Sequence, residues 1–300
     1  MTDLTVLVAG ATGDLGRRIV RELLERDARV RVLTRPRDAS APAPSFGSPL
    51  VEVVEAAYDD PAALRRAMAG VDVVVSAVSG TRSVIVDAQR ELLAAAVAEG
   101  VRRFIPSDYA ADYRRIPPGT NRNFELRREF AAHLDAAPIR ATSVLNGAFT
   151  DMLTGQAPIV APQVHRVLFW SDAEQVLDFT SKDDTARFVA QAALDDDAPR
   201  VLEIAGDRVT AKGLAATMTE LTGRTYRPQW AGTTGVLSLM SRAIRAVSKD
   251  DAEAFPAWQG MQYLVSMYSG DATLRHVDND RYGSTSWVSA RDVLASRFGR

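Results

Sequence analysis

The sequence contains no cysteine, which excludes disulfide bonds, a thiolate nucleophile and zinc–thiolate sites. Its three histidines, His133, His165 and His276, lie far apart and share no ligand spacing with a carboxylate, so we expect no metal site. No apolar run approaches the roughly 18 residues that a transmembrane helix needs. Residues 1–4 lack the basic stretch and apolar run of a signal peptide. We therefore expect a cytoplasmic protein with no membrane partner.

A strong excess of either charge is also missing. The chain has 36 lysines and arginines against 38 aspartates and glutamates, a net charge of −2. Proteins that bind the phosphate backbone of nucleic acids are normally basic, so we expect no nucleic-acid partner. Hydrophobic residues (46%) and charged residues (25%) are present in ordinary amounts, which excludes a disordered or fibrous chain. Composition leaves the oligomeric state open.

Short apolar segments rich in β-branched residues alternate with amphipathic helical segments in the first half of the chain. The strands are predicted over residues 5–9, 29–34, 50–55, 71–78, 102–105 and 140–145. Several are apolar throughout, as are strands covered on both faces of a parallel sheet. The helices are predicted over residues 14–27, from an Asp60 N-cap to Gly70, and over 83–99 before Gly100. This alternation predicts an α/β fold with a doubly wound, mostly parallel Rossmann sheet.

The second half is less regular. We expect a helix capped by Asp183, a strand over residues 201–205, and helical segments over 210–221 and 233–268. Ser289 and Asp292 form a capping-box-like start to a terminal helix. The sequence thus predicts a nucleotide-binding domain over residues 1–155. A smaller substrate-side lobe would follow over 156–300, of which about 176–207 would return to the sheet.

A glycine-rich loop joins the first predicted strand to the first helix, with the sequence Gly-Ala-Thr-Gly-Asp-Leu-Gly over residues 10–16. Gly10 permits a tight turn, Gly13 lets main-chain N–H groups approach a pyrophosphate, and Gly16 lets the helix pack close to the strand. The anion would lie at the positive end of the helix dipole. The loop predicts a dinucleotide site that also includes Thr12, Asp14 and Leu15.

The choice of cofactor is indicated at the end of the second strand. An acidic residue there would accept the ribose 2′-hydroxyl of NAD, whereas arginine suits the 2′-phosphate of NADP. Arg35 occupies this place in the stretch Thr34-Arg35-Pro36-Arg37, which also contains Arg37 and no acid. A guanidinium can hold a phosphate through two charge-assisted hydrogen bonds. We therefore predict NADP as the cofactor; the alternative is that Arg35 is a solvated surface residue of an arginine-rich protein.

The glycine loop followed by Thr34-Arg35 resembles the atypical short-chain dehydrogenases. Further stretches resemble the NmrA-like, isoflavone-reductase-like family: Gly-Val-Arg-Arg-Phe-Ile-Pro-Ser-Asp-Tyr at 100–109, Leu-Asn-Gly-Ala-Phe at 145–149 and Asp-Phe-Thr at 178–180. This resemblance implies an NADPH-binding Rossmann domain with a smaller lobe that forms a substrate cleft. It also implies that Ala77 and Asn146, at the ends of the fourth and sixth strands, contact the cofactor.

One position departs from this pattern. Reductases of the family use a lysine in the helix after the fifth strand, and the resemblance places Arg127 there. A guanidinium stays protonated at physiological pH, so Arg127 would be a poor proton donor. It could hydrogen-bond the nicotinamide ribose or stabilise a developing oxyanion. The alternative is an ordinary residue on the helix surface.

The proton for a reduction would then come from another group. Tyr109 follows the fifth strand and lies at the carboxyl edge of the sheet, where ligands of open α/β sheets bind. Ser107 shares this loop and could orient the substrate or the nicotinamide. The alternative for Ser107 is a hydroxyl that caps the turn after the strand.

Together these patterns favour an NADPH-dependent reductase of a small aromatic or conjugated organic substrate. A regulatory protein that senses NADP(H) without catalysis is the main alternative, because the lysine of the family is missing. A quinone reductase or an isomerase on the same fold is a further alternative.

Overall fold

The computed structural model describes residues 4–36, 44–155, 157–248, 252–283 and 286–299. The chain divides into two compact units. The first unit comprises Met1–Asp108, Leu126–Val144 and Thr185–Leu202. The second comprises Tyr109–Glu125, Leu145–Asp184 and Glu203–Arg300. Each unit is therefore assembled from three separate stretches of the sequence.

A six-stranded sheet forms the centre of the first unit. Its strands are β1 (Thr5–Ala9), β2 (Arg29–Thr34), β3 (Val51–Glu55), β4 (Val73–Ser76), β5 (Arg103–Ile105) and β6 (Arg140–Ala141). They lie in the order β3-β2-β1-β4-β5-β6, and every neighbouring pair is parallel. The predicted doubly wound parallel sheet is confirmed. The chain reverses its direction of winding between β1 and β4, where ligands of such sheets bind.

Helices flank this sheet because each presents an apolar stripe. They are α1 (Asp14–Leu24), α2 (Pro61–Met68), α3 (Gln89–Ala98), α4 (Arg122–Asp135) and α5 (Lys182–Leu194), and a π-helical segment, Ser83–Ala88, leads directly into α3. The core of the first unit includes Leu7 of β1, Leu64 of α2, Leu92 of α3, Phe104 of β5 and Phe130 of α4, each fully buried. The Asp60 cap is confirmed, since its carboxylate accepts the Ala63 N–H at 2.9 Å.

Two local predictions were wrong. The strand predicted over residues 140–145 is broken after Ala141, because the Ser143 N–H turns to the Arg200 carbonyl at 2.9 Å; β6 therefore ends there, and β7 (Ser143–Leu145) follows. The cap of α5 is Ser181 and not Asp183. The Ser181 hydroxyl oxygen accepts the Asp184 N–H at 3.0 Å, and the helix begins at Lys182, two residues earlier than a cap at Asp183 predicts.

The rest of the described chain forms short strands and further helices. The strands are β8 (Ala148–Phe149), β9 (Val160–Ala161), β10 (Arg166–Phe169), β11 (Leu177–Thr180), β12 (Val201–Glu203), β13 (Asp207–Val209) and β14 (Arg227–Trp230). The helices are α6 (Ala211–Thr222), α7 (Thr234–Val247), α8 (Ala257–Tyr268) and α9 (Ala290–Phe298). The helical pattern predicted over 233–268 forms two helices, α7 and α8. In the part of the chain that the structure describes, none of the helices combines the length and the hydropathy needed to cross a membrane.

The predicted capping box at the start of α9 is confirmed. The Ser289 hydroxyl accepts the Asp292 N–H at 3.1 Å, and the Asp292 carboxylate accepts the Ser289 N–H at 2.9 Å. The Ser289 hydroxyl also donates to the Asp292 carboxylate at 2.6 Å, and this hydrogen bond, followed by the one from the Ser289 N–H, lowers the pKa of Asp292. The folded protein therefore favours the ionised carboxylate, and this stabilisation is lost as the pH falls below the usual range of aspartate.

We expect Ser289→Ala to lower the free energy of unfolding by about 1 kcal/mol at pH 7, since a backbone N–H loses its cap. The difference from the wild type should shrink as the pH falls from the usual pKa of aspartate, about 4, toward the lowered pKa of Asp292 in the folded protein. Urea unfolding at the two pH values measures both effects. Ser296→Ala on the same helix is the control, because the Ser296 hydroxyl only donates to the Val293 carbonyl. An equal loss in the two variants would contradict the prediction.

Candidate nucleotide-binding site

The first turn of the glycine loop lies directly against the end of β4. Gly10 has a φ of +77°, a conformation that L side chains rarely adopt. A Cβ at this position would lie 2.6 Å from the Ala77 carbonyl oxygen. The Ala77 N–H in turn donates to the Ala9 carbonyl at 2.8 Å. Only glycine fits here without displacing one of the two loops, which explains the first glycine of the motif.

The other two glycines differ in what surrounds them. A Cβ on Gly16 would lie 2.8 Å from the Ala11 Cα, so α1 can pack onto the turn only with glycine at this position. Gly13 has an ordinary φ of −73°, and the nearest atom to its Cβ position is the Gly10 carbonyl oxygen at 3.3 Å. Gly13 is the N-cap of α1 and provides no side-chain cap. The first turn of α1 thus presents its N–H groups to an anion, which fits a pyrophosphate.

The side chains around this loop are mostly exposed. Thr12 and Asp14 are exposed, Leu15 is half-buried, and the Asp14 carboxylate pairs with the Arg18 guanidinium at 2.8 Å. Arg17 was not singled out in the sequence, yet its Nε donates to the Thr12 carbonyl at 3.1 Å. A positive charge is therefore held beside the loop. Arg17 is hard to recognise from the sequence, because arginine is common throughout this chain.

Arg35 follows β2 directly and is exposed. Its charge acts on Tyr58, a half-buried residue after β3: burial raises the pKa of the Tyr58 hydroxyl, and the Arg35 guanidinium opposes this rise. By its position in the chain, Arg35 lies at the carboxyl end of β2, and β3 is the neighbouring strand of the sheet. This is where the ribose of a dinucleotide lies in folds of this type. Arg37, the second arginine of the prediction, lies outside the described residues.

Ser107 follows β5 and is buried, and its hydroxyl donates to the Val78 carbonyl at 2.6 Å. Ser107 thus joins the loops that follow β4 and β5. Gln89, which sequence reasoning missed, accepts the Ser107 N–H at 3.0 Å through its side chain. The only signal for Gln89 was a polar residue beside the apolar stripe of a predicted helix.

The other predicted site residues are divided between the two units. Arg127 is half-buried on α4, in the first unit. Tyr109 and Asn146 belong to the second unit, where both are buried. The Asn146 backbone is fixed there: its N–H donates to the Ala110 carbonyl at 2.9 Å, and its carbonyl accepts the Thr180 hydroxyl at 2.8 Å. The roles assigned to these residues stay predictions.

This loop, its uncapped helix and the arginine after β2 can be compared with known proteins. The sequence profile of the NmrA-like family matches residues 2–242. The chain belongs to the NmrA-like family. Pinoresinol reductase 1 of Arabidopsis thaliana is 34% identical to this NmrA-like chain over 212 residues. The match covers 66% of each chain, so it spans just under two thirds of that relative.

Solved structures extend the likeness of the NmrA-like chain to its whole length. A structure of AtPrR2 with NADP+ and (+)-pinoresinol superposes with a TM-score of 0.79 at 23% identity, covering 99% of each chain. A structure of isoflavone reductase superposes with a TM-score of 0.81 at 21% identity, covering 98% of this chain and 99% of the other. These neighbours confirm the predicted α/β Rossmann fold. The family profile and the similarity to pinoresinol reductase 1 confirm the predicted resemblance to the NmrA-like, isoflavone-reductase-like family.

Proposed function

We propose that this NmrA-like protein is an NADPH-dependent reductase of a small aromatic or conjugated organic substrate. The observation that carries the proposal is the pairing of an uncapped helix N-terminus at Gly13 with Arg35 at the end of β2. The first fits a pyrophosphate and the second a ribose 2′-phosphate. The relatives support the same reaction class, since one acts on pinoresinol and a neighbouring structure contains NADP+.

In this proposal NADPH supplies the hydride when bound, and each group of the chain has a defined task. The N–H groups of the first turn of α1 bind the pyrophosphate, and Arg35 binds the 2′-phosphate. Arg127 stabilises negative charge that develops on the substrate, as a fixed cation can do without giving up a proton. Tyr109 donates the proton. Ser107 acts indirectly, because its hydroxyl is occupied by the Val78 carbonyl.

NADPH oxidation, followed at 340 nm, tests the proposal. The panel would contain furofuran lignans such as pinoresinol, isoflavones, simple aryl enones and quinones. We expect NADPH to be consumed with the lignans, the isoflavones or the aryl enones, and the product to contain two more hydrogen atoms than the substrate. Consumption with quinones alone would replace this substrate class by the quinone alternative. Tight NADPH binding without consumption in any arm would favour the sensor.

The sensor alternative has one observation in its favour, which is arginine at position 127, where reductases of this family have lysine. A chain that only senses NADP(H) has no need of a proton donor in this helix. Variants of Arg127 separate the two functions.

We expect Arg127→Ala to lower kcat about 10-fold, because a cation that stabilises the transition state is lost, while the Kd for NADPH changes less than about 2-fold. Arg127→Lys should keep most of the activity, since it retains the positive charge. Stopped-flow turnover and calorimetry measure the two constants. Arg128→Ala, a half-buried neighbour on α4, is the matched control. Unchanged kcat in Arg127→Ala would exclude a catalytic role for Arg127.

A further inference from the structure

Gln89, the first residue of α3, is fully buried and uses both ends of its side-chain amide. Its Nε2 donates to the Ile85 carbonyl at 2.6 Å. Its Oε1 accepts the Ser107 N–H at 3.0 Å. A buried amide with both partners satisfied has a fixed orientation, because each lost hydrogen bond would leave an unpaired polar group in the core.

The π-helical segment Ser83–Ala88 provides one of these partners. In a π-helix the backbone hydrogen bonds span one residue more than in an α-helix, so the turn is wider. The Ile85 carbonyl lies in this segment and accepts the Gln89 side chain. Single π turns inside helices are rare and are frequently found at functional sites.

The hydrogen bonds continue from Gln89 to the edge of the sheet. The Ser107 hydroxyl donates to the Val78 carbonyl at 2.6 Å, which joins the loop after β5 to the loop after β4. Ala77, the preceding residue, lies against Gly10, where a Cβ would come within 2.6 Å of its carbonyl oxygen. Gln89 and Ser107 therefore connect α3 with the loops after β4 and β5, and the loop after β4 lies against the glycine loop that follows β1.

We propose that Gln89 is a positioning residue for the nicotinamide half of NADPH, an inference that rests on the proposed function. A doubly wound sheet has two mononucleotide-binding halves, and they meet between β1 and β4. The glycine loop and Arg35 belong to the half that is formed by β1, β2 and β3. The loops that Gln89 holds belong to the other half, which receives the second nucleotide. Gln89 itself is too deeply buried to touch the cofactor.

Two ligands separate this role from a general loss of stability. Adenosine 2′,5′-bisphosphate carries the 2′-phosphate and the adenosine half only, whereas NADPH occupies both halves. In Gln89→Met the Ser107 N–H and the Ile85 carbonyl lose their partner. We expect the two loops to shift and the Kd for NADPH to rise about 10-fold, which corresponds to about 1.4 kcal/mol of lost binding free energy. The Kd for adenosine 2′,5′-bisphosphate should change less than about 2-fold. Calorimetry measures both constants.

Gln89→Glu adds a readout that a merely structural role would not give. A protonated carboxyl group can donate to the Ile85 carbonyl and accept the Ser107 N–H, as the amide does, but a carboxylate can only accept. Burial raises the pKa of such a carboxyl group. The affinity of Gln89→Glu for NADPH should therefore approach the wild-type value as the pH falls from 8 to 6. The wild type measured at each pH provides the reference.

Leu92→Ala is the control, because Leu92 is buried on the same helix and its truncation weakens the core while it leaves the side-chain amide of Gln89 in place. In Leu92→Ala, the ratio of the Kd for NADPH to the Kd for adenosine 2′,5′-bisphosphate should equal the ratio in the wild type. If Gln89→Met weakens the binding of both ligands equally, or of neither, the positioning role is overturned and the proposed function stands. If the wild type binds neither nucleotide, the proposed function itself is overturned, and the inference with it.

Discussion

Arg35→Asp is expected to raise the Kd for NADPH by about 100-fold or more, while the Kd for NADH stays the same or falls. A charge-assisted hydrogen bond to a phosphate contributes roughly 1.5–3 kcal/mol, and a carboxylate in its place adds repulsion. The same carboxylate can accept the free 2′-hydroxyl of NADH. Because Arg35 is exposed and follows β2, the change should leave the core intact. Fluorescence titration with the two nucleotides measures the switch.

Arg66→Asp is the matched control, since Arg66 is an exposed arginine on α2 of the same unit. It alters the net charge equally, but lies on a helix and not at the end of β2. Arg66→Asp should change the Kd for NADPH by less than about 3-fold, because solvent and salt screen a charge that lies far from the ligand. Equal losses of NADPH and NADH binding in Arg35→Asp would show that Arg35 does not read the 2′-phosphate.

Gly13→Ala is expected to abolish measurable nucleotide binding in a protein that still folds. The Gly13 φ of −73° suits alanine, and the Gly10 carbonyl oxygen 3.3 Å away needs to yield only a few tenths of an ångström. The added methyl group would lie at the exposed N-terminus of α1, between the N–H groups and the pyrophosphate. We expect the Kd for NADPH to rise more than about 100-fold, the loss expected when several charge-assisted bonds are broken together.

Gly10→Ala provides the contrast within the same loop. Its φ of +77° and the 2.6 Å approach to the Ala77 carbonyl oxygen predict a loss of stability of about 3 kcal/mol, a large effect for one methyl group. Thermal unfolding of the two variants should therefore separate them, with a much lower Tm for Gly10→Ala. Normal NADPH binding by Gly13→Ala would show that the anion does not approach this glycine.

The sequence was most informative where local pattern and tertiary structure agree. β1 and β2 have the predicted bounds, because both are short segments rich in β-branched residues. The caps at Asp60 and Ser289 were readable since a cap is a local interaction between residues three positions apart. The cap of α5 was assigned to the wrong residue, as Ser181 and Asp183 are both good capping residues.

Prediction failed where a distant partner decides the structure. The strand expected over residues 140–145 is broken by Arg200, and nothing local marks this change of partner. Gln89 was missed for the same reason, since its importance comes from Ser107, which lies 18 positions further along the chain. The small sheets formed by β8 to β14, other than β12, were likewise not predicted, because two- to four-residue strands carry too little periodicity to be recognised.

By itself the sequence determined the parallel sheet, the glycine loop, the arginine after the second strand and membership of a reductase-like family. Each of these depends on residues that are neighbours along the chain, so their order carries the information. The tertiary structure alone decided that Gly10 lies under Ala77 and that Gln89 joins the loops after β4 and β5. Such contacts link segments that are far apart in sequence, and they exist only once the strands have aligned side by side.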